Sequence, residues 1–228
     1  MITLHHCPQS RSMRVLWLLK ELGVPHAVQL RAFDKSLRAP DFLSLSPAGR
    51  VPALEIEGER MFESAAIMEY LCERFPDAGL GRLPGDPDRM AWLVWLHFAE
   101  TISQHVAALT QQHILLYDDA MRSPIVMRLE AARLLKCYTA IEARLSTPVE
   151  NRDHLLTSGF SACDIAVGQA VYLARYFAKT DGFPELEAWL ARITDRDAFR
   201  EALPQPGEAL IYTQPFYPAW EQAAGTAQ

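Results

Sequence analysis

The chemistry most readily placed in this sequence lies at Ser10-Arg11-Ser12-Met13-Arg14, where a strand-like segment (residues 1–5) gives way to a helical pattern (residues 11–22). Backbone N–H groups at a helix start have no internal partner, and the helix dipole adds positive potential there. Such a position stabilises an anion, and a serine hydroxyl can donate it one more hydrogen bond. If the anion is a thiolate, its pKa falls. A drop of about two units from a free value near 8.5 is worth roughly 2.7 kcal/mol and makes the thiolate the majority species at pH 7. Taken alone, Ser10 or Ser12 reads equally well as an N-cap, a position serine favours.

Two further clusters accompany it. In Ala48-Gly49-Arg50-Val51-Pro52-Ala53-Leu54 the proline opens a strand, because it cannot donate to a sheet ladder. A cis Val51-Pro52 bond would turn the Val51 backbone groups outward, where an extended peptide can pair with them. In Phe62-Glu63-Ser64-Ala65-Ala66-Ile67, Ser64 reads as the N-cap of a helix, opening a second anion site, and Glu63 offers a carboxylate to an ammonium group. A ligand with an amino-acid end suits that pair; a plain cap beside a solvated glutamate is the alternative.

The remaining reactive side chains carry less. The histidines show no metal-type spacing with carboxylates or cysteines, so no metal is expected, and most of them read as surface or pocket residues. Cys72, Cys137 and Cys163 sit in apolar helical patterns and read as small buried groups. Four scattered cysteines fit a reducing cytoplasm rather than a disulfide framework. A net charge of −6 without a basic run argues against nucleic acid, and no apolar run is long enough to span a membrane. Half the residues are hydrophobic, which excludes disorder.

These clusters must be positioned by elements that change character along the chain. The first 75 residues read β-α-β-(α)-β-β-α: strands at 1–5, 27–30, 53–56 and 60–62, helices at 11–22 and from Ser64, and a short helix from Pro40. Gly23 closes the first helix, Glu57-Gly58 makes a tight turn, and Pro76 ends the helix that starts at Ser64. The Pro- and Gly-rich stretch that follows is a linker, and beyond it helical patterns run over 89–118, 124–146, 162–178, 184–194 and 196–203. The tail from Tyr212 to Trp220 is too proline-rich for regular helix and is expected to pack its aromatics back onto the protein. The division is therefore an α/β domain at 1–78, a linker at 79–88 and an all-α domain at 89–228.

A strand-helix turn with Ser10, Arg-Val-Pro at 50–52 and Glu-Ser at 63–64, followed by an all-α half, resembles the cytosolic glutathione transferase family. Ser161-Ala162-Cys163-Asp164-Ile165-Ala166 resembles that family's capping box before a buried helix, and its logic stands independently: Ser161 caps while Asp164 bonds back. The resemblance implies a thioredoxin-like N-terminal α/β domain that binds glutathione and an all-helical C-terminal domain holding the electrophile pocket. It implies a cytoplasmic homodimer that conjugates the glutathione thiolate to a hydrophobic electrophile, with no metal.

Carried over by position, the resemblance makes Ser10 the activating hydroxyl, with Ser12 as competitor. It assigns Arg50 to the glycine carboxylate of glutathione, Val51 to the cysteinyl backbone, Pro52 to the cis-proline, and Glu63 and Ser64 to the γ-glutamyl end. Gln104, His105 and Tyr117 become candidate cleft residues. There is no tyrosine in the first ten residues, unlike the tyrosine-type classes, and Cys7-Pro8-Gln9-Ser10 looks like a glutaredoxin-type redox motif. That motif carries the main rival, a glutathione-dependent thiol–disulfide oxidoreductase or peroxidase using Cys7. A second alternative is a non-enzymatic binding module on the same fold.

Overall fold

The computed structural model describes residues 1–147 and 153–219. The chain begins β1 (Ile2–His6), α1 (Ser12–Leu22), β2 (His26–Leu30), α2 (Pro40–Leu43), β3 (Ala53–Ile56), β4 (Glu59–Phe62) and α3 (Ser64–Arg74). The strands form one sheet in the order β2-β1-β3-β4. β1 and β2 are parallel, as the α1 crossover between them requires, whereas β1–β3 and β3–β4 are antiparallel. The β3–β4 hairpin closes through Glu57 and Gly58, both with positive φ (53° and 88°), the backbone of a two-residue turn suited to strand twist. α1 buries Met13, Val15, Leu16, Trp17, Leu18 and Leu19 and ends on Gly23 in the left-handed region.

The second half is α4 (Arg89–Thr110), α5 (Pro124–Ser146), α6 (Ala162–Ala174), α7 (Pro184–Thr194) and α8 (Asp197–Ala202). α6 is buried along almost its whole length and packs on α4, α7 and α1, so one core runs through both halves. Its start is the reciprocal capping box expected from Ser161 and Asp164. Asp164 also accepts the Leu155 N–H (3.0 Å) and the Trp189 indole N–H (2.9 Å), so this buried carboxylate ties α6 to α7 and to the preceding loop. Gly168 allows the approach of neighbours: a Cβ there would lie 2.4 Å from Ile193 Cδ1.

The segment between the halves is tied down at Leu80, whose carbonyl accepts the Trp92 indole N–H (3.1 Å) and the Ala162 N–H (2.9 Å). Two helices end earlier than their patterns suggest. α4 stops at Thr110, widens into a π-type turn over Gln111–Leu115, and leaves Tyr117 outside the helix and 91% exposed. α6 stops at Ala174 instead of continuing to residue 178. Tyr212 and Tyr217 do fold back onto the protein, Tyr212 stacking on Tyr176 at 4.7 Å; Trp220 lies outside the described residues. No helix among the described residues is long and apolar enough to cross a membrane.

Candidate functional site

β1 delivers His6, Cys7, Pro8, Gln9 and Ser10 to the N-terminal end of α1. Ser10 is partly exposed, and its Oγ receives the Ser12 backbone N–H at 3.2 Å, one of the donors a helix start leaves free. The Ser10 hydroxyl donates to the Cys7 carbonyl (2.8 Å) and lies 2.7 Å from Ser12 Oγ. Ser12 is fully buried, and its Oγ lies 2.8 Å from His6 Nδ1 and accepts the Cys7 N–H at 3.1 Å. Of the two serines, only Ser10 is open to a ligand.

Cys7 is differently placed. It is 1% exposed within the apolar core, its Sγ lies 3.7 Å from the Pro8 carbonyl, and burial, reinforced by Asp34 and Glu208, pushes its thiol up to about 12. A thiol in that state does not act as a nucleophile at neutral pH. His5 and His6 also differ from the expectation of surface or pocket residues, because both are buried on the central strand. His5 Nε2 pairs with Glu55 (2.9 Å), and burial lowers His6 to about 4, leaving it neutral.

Glu63 and Ser64 open α3, but not as a serine cap. Glu63 occupies the capping position, exposed and with φ 72°, and Ser64 is the first helical residue. The Ser64 hydroxyl instead donates to Glu100 on α4 at 3.1 Å. The same carboxylate accepts Arg11 (2.7 Å) and Arg14. Arg14 is fully buried and also donates to Gln169 Oε1 (2.9 Å) and Ser103 Oγ (2.7 Å). Burial alone would raise the Glu100 carboxyl, but Arg14 and Arg11, with hydrogen bonds from Arg11 and Ser64, hold it below its usual range. One ion network therefore joins the start of α1, the start of α3, α4 and α6.

The Val51–Pro52 bond is cis, Pro52 is buried, and Arg50 is exposed one residue before Val51. Of the helical-half candidates, His105 is held by Glu130 of α5 (2.6 Å), while Gln104 and Tyr117 are exposed, Tyr117 at 91%. Gln9, which sequence reasoning passed over, is buried with φ 56° and uses both ends of its amide. Its Oε1 accepts the Tyr212 N–H (2.8 Å), and its Nε2 donates to Tyr176 Oη (3.0 Å). Glu100, Ser103 and Gln169 were also missed. Their one sequence signal is a polar residue inside an apolar helical face, clearest for Gln169 between Gly168 and Ala170. Among the described residues no group of three or more His, Cys, Asp or Glu is arranged to hold a metal ion.

A mixed four-stranded sheet of this order, with a helix N-terminus carrying a hydroxyl and an all-helical half behind it, defines the thioredoxin-like two-domain class. The model of the glutathione S-transferase N-terminal domain matches residues 6–74. Glutathione S-transferase 3 of Schizosaccharomyces pombe is 25% identical over 212 residues, covering 89% of this chain and 86% of its own. The maleylacetoacetate isomerase of Pseudomonas aeruginosa is 53% identical, but only over 55 residues, 24% of this chain and 25% of the isomerase. A sphingomonad glutathione S-transferase solved in complex with glutathione superposes with a TM-score of 0.73 at 25% identity, covering 88% of this chain and 96% of that one. The chain therefore carries a glutathione S-transferase N-terminal domain over residues 6–74 and is similar along most of its length to glutathione S-transferases.

Proposed function

We propose that the protein conjugates the thiolate of glutathione to a hydrophobic electrophile, with Ser10 as the activating hydroxyl. The observation that carries this reading is the single accessible hydroxyl at the α1 N-terminus, joined through Arg11, Arg14 and Glu100 to Ser64. Glutathione lies with its cysteinyl backbone on Val51, beside Pro52, its glycine carboxylate near Arg50 and its γ-glutamyl end at Glu63 and Ser64. Its thiol loses a proton to solvent, and the thiolate, held by the Ser10 hydroxyl and the helix start, attacks the electrophilic carbon. Positioning and one charge-stabilising hydrogen bond supply the rate enhancement, without a metal. Residues 1–78 form the glutathione-binding domain, 79–88 the linker and 89–228 the domain that holds the electrophile. The working form is a cytoplasmic homodimer.

The test is steady-state conjugation of glutathione to a chromogenic aromatic halide. A charge-assisted hydrogen bond is worth about 1.5–3 kcal/mol, so Ser10→Ala is expected to lower kcat/KM roughly 10- to 150-fold with glutathione affinity within a few-fold. Full activity in that variant removes Ser10 from the mechanism. The burial of Cys7 and its raised pKa count against the oxidoreductase reading. A second reading, glutathione-dependent isomerisation, is favoured by the short, strong match to the isomerase. The two separate by stoichiometry, because conjugation consumes one glutathione per turnover and isomerisation returns it.

A further inference from the structure

Behind Ser10 the hydroxyls continue inward. Ser10 Oγ lies 2.7 Å from Ser12 Oγ, and Ser12 Oγ lies 2.8 Å from the Nδ1 of the buried His6. We propose that His6 and Ser12 are positioning residues that orient the Ser10 hydroxyl toward the glutathione sulfur through a directed chain, His6 Nδ1–H to Ser12 Oγ–H to Ser10 Oγ–H. The inference rests on Ser10 being the activating hydroxyl.

A serine hydroxyl has one hydrogen to donate and accepts two. Ser12 Oγ accepts the Cys7 N–H (3.1 Å) and, when His6 carries its proton on Nδ1, the imidazole N–H as well. Both acceptor positions are then filled, and the Ser12 hydrogen has two acceptors in reach, Ser10 Oγ at 2.7 Å and the Cys7 carbonyl at 3.2 Å; it goes to the nearer, Ser10. Ser10 Oγ in turn accepts that hydrogen and the Ser12 backbone N–H (3.2 Å), so its own hydrogen is the one left to give. Without ligand it goes to the Cys7 carbonyl (2.8 Å); with glutathione bound it turns to the thiolate. The opposite tautomer sends the Ser12 hydrogen to Nδ1 and leaves Ser10 Oγ one donor short. Donors aligned head to tail polarise one another, so a Ser10 that accepts twice donates more strongly. No proton travels along the chain; each donor keeps its hydrogen.

The surroundings keep this device constant while the glutathione thiol titrates. Arg11 just before α1, Arg14 on α1 and Glu100 on α4 are charged groups at the helix start. Asp34 and Glu208 raise the Cys7 thiol, Cys7 in turn raises Tyr212, and Arg31 donates its backbone N–H to the His6 carbonyl at 2.7 Å. His6 is neutral above about 4, Cys7 is protonated below about 12, and Tyr212 is pushed up to about 12.

The experiment is the pH profile of kcat/KM for wild type, Ser10→Ala, Ser12→Ala, His6→Leu and His6→Asn, whose amide N–H stands where Nδ1–H stood. Ser12→Ala and His6→Leu are expected to move the profile to higher pH, with about three- to tenfold lower kcat/KM at pH 6.5 and a loss that shrinks above pH 8.5, the size of one neutral hydrogen bond. Ser10→Ala is expected to move it further, and His6→Asn to restore it. A shift in Ser10→Ala with none in Ser12→Ala or His6→Leu overturns the chain and leaves the Ser10 reading standing. No shift in Ser10→Ala overturns both. A larger shift in Ser12→Ala than in Ser10→Ala makes Ser12 the hydroxyl itself and also overturns the proposal. A measurement free of folding defects is the nitrogen-15 spectrum of His6 in the wild-type protein with glutathione: a proton on Nδ1 is expected, and an unprotonated Nδ1 refutes the chain.

Discussion

Removing the Glu100 carboxylate should cost both stability and glutathione binding. Arg14 is fully buried, and among the described residues Glu100 is its only ionic partner, shared with Arg11 and with the Ser64 hydroxyl. Breaking a fully buried pair by deleting one partner costs about 3–5 kcal/mol, because an uncompensated charge stays behind. The Glu100 side chain is 32% exposed, so water reaches the vacancy, and Arg14 keeps its bonds to Gln169 and Ser103. Discounted for that screening, Glu100→Ala is expected to cost about 2–3 kcal/mol. In a chain of this size that is a fall in Tm of roughly 5–10 °C.

The pH dependence of Glu100 has a definite sign. Its folded pKa lies below the ordinary value of 4.5, so its stabilisation is present above that value and is lost as pH falls through the folded pKa. Wild type should therefore lose stability below about pH 4.5 more steeply than Glu100→Gln, which keeps the shape without the charge. Differential scanning calorimetry from pH 3.5 to 7.5 reads both effects. The glutathione KM should rise more than kcat falls, because Ser64 loses its acceptor. A Tm within a degree of wild type at pH 7, with parallel acid limbs for Glu100→Gln and wild type, would refute the assignment of this network as the tie between the halves.

Other consequences are simpler. Cys7→Ala should keep wild-type turnover, and native protein at pH 7.5 should resist iodoacetamide at Cys7, because burial holds the thiol protonated; rapid labelling with loss of activity would contradict this. Asp164→Ala strands the N–H groups of Leu155, Ser161 and Trp189 and should cost about 3–5 kcal/mol in urea unfolding. Gln9→Ala should release the C-terminal strap, seen as faster hydrogen exchange at the Tyr212 amide, which now bonds Gln9 Oε1 at 2.8 Å.

Legibility in the sequence followed the range of the interactions. The strand-helix turn at Ser10, the Glu57-Gly58 hairpin, the Gly23 stop and the Ser161–Asp164 box are set by residues within a few positions of each other, and each formed where expected. The Glu100 network was invisible because its members come from four helices, with Arg14 and Gln169 separated by 155 positions. Ser64 departed from its reading as a cap because a distant carboxylate claimed its hydroxyl. The helix α4 overran in the sequence because Ile114, Leu115 and Leu116 continue the apolar pattern past the turn that ends it. His5 and His6 were misplaced because adjacent positions on a strand point to opposite faces, and β1, as a central strand, buries both.

The role of Ser10 is tested most directly by ultraviolet titration of the thiolate of glutathione bound to wild type and to Ser10→Ala. The bound thiol in wild type is expected to have a midpoint about two units below the free value near 8.5, returning most of the way toward that value in the variant. A variant that binds glutathione and titrates with the wild-type midpoint would contradict that role.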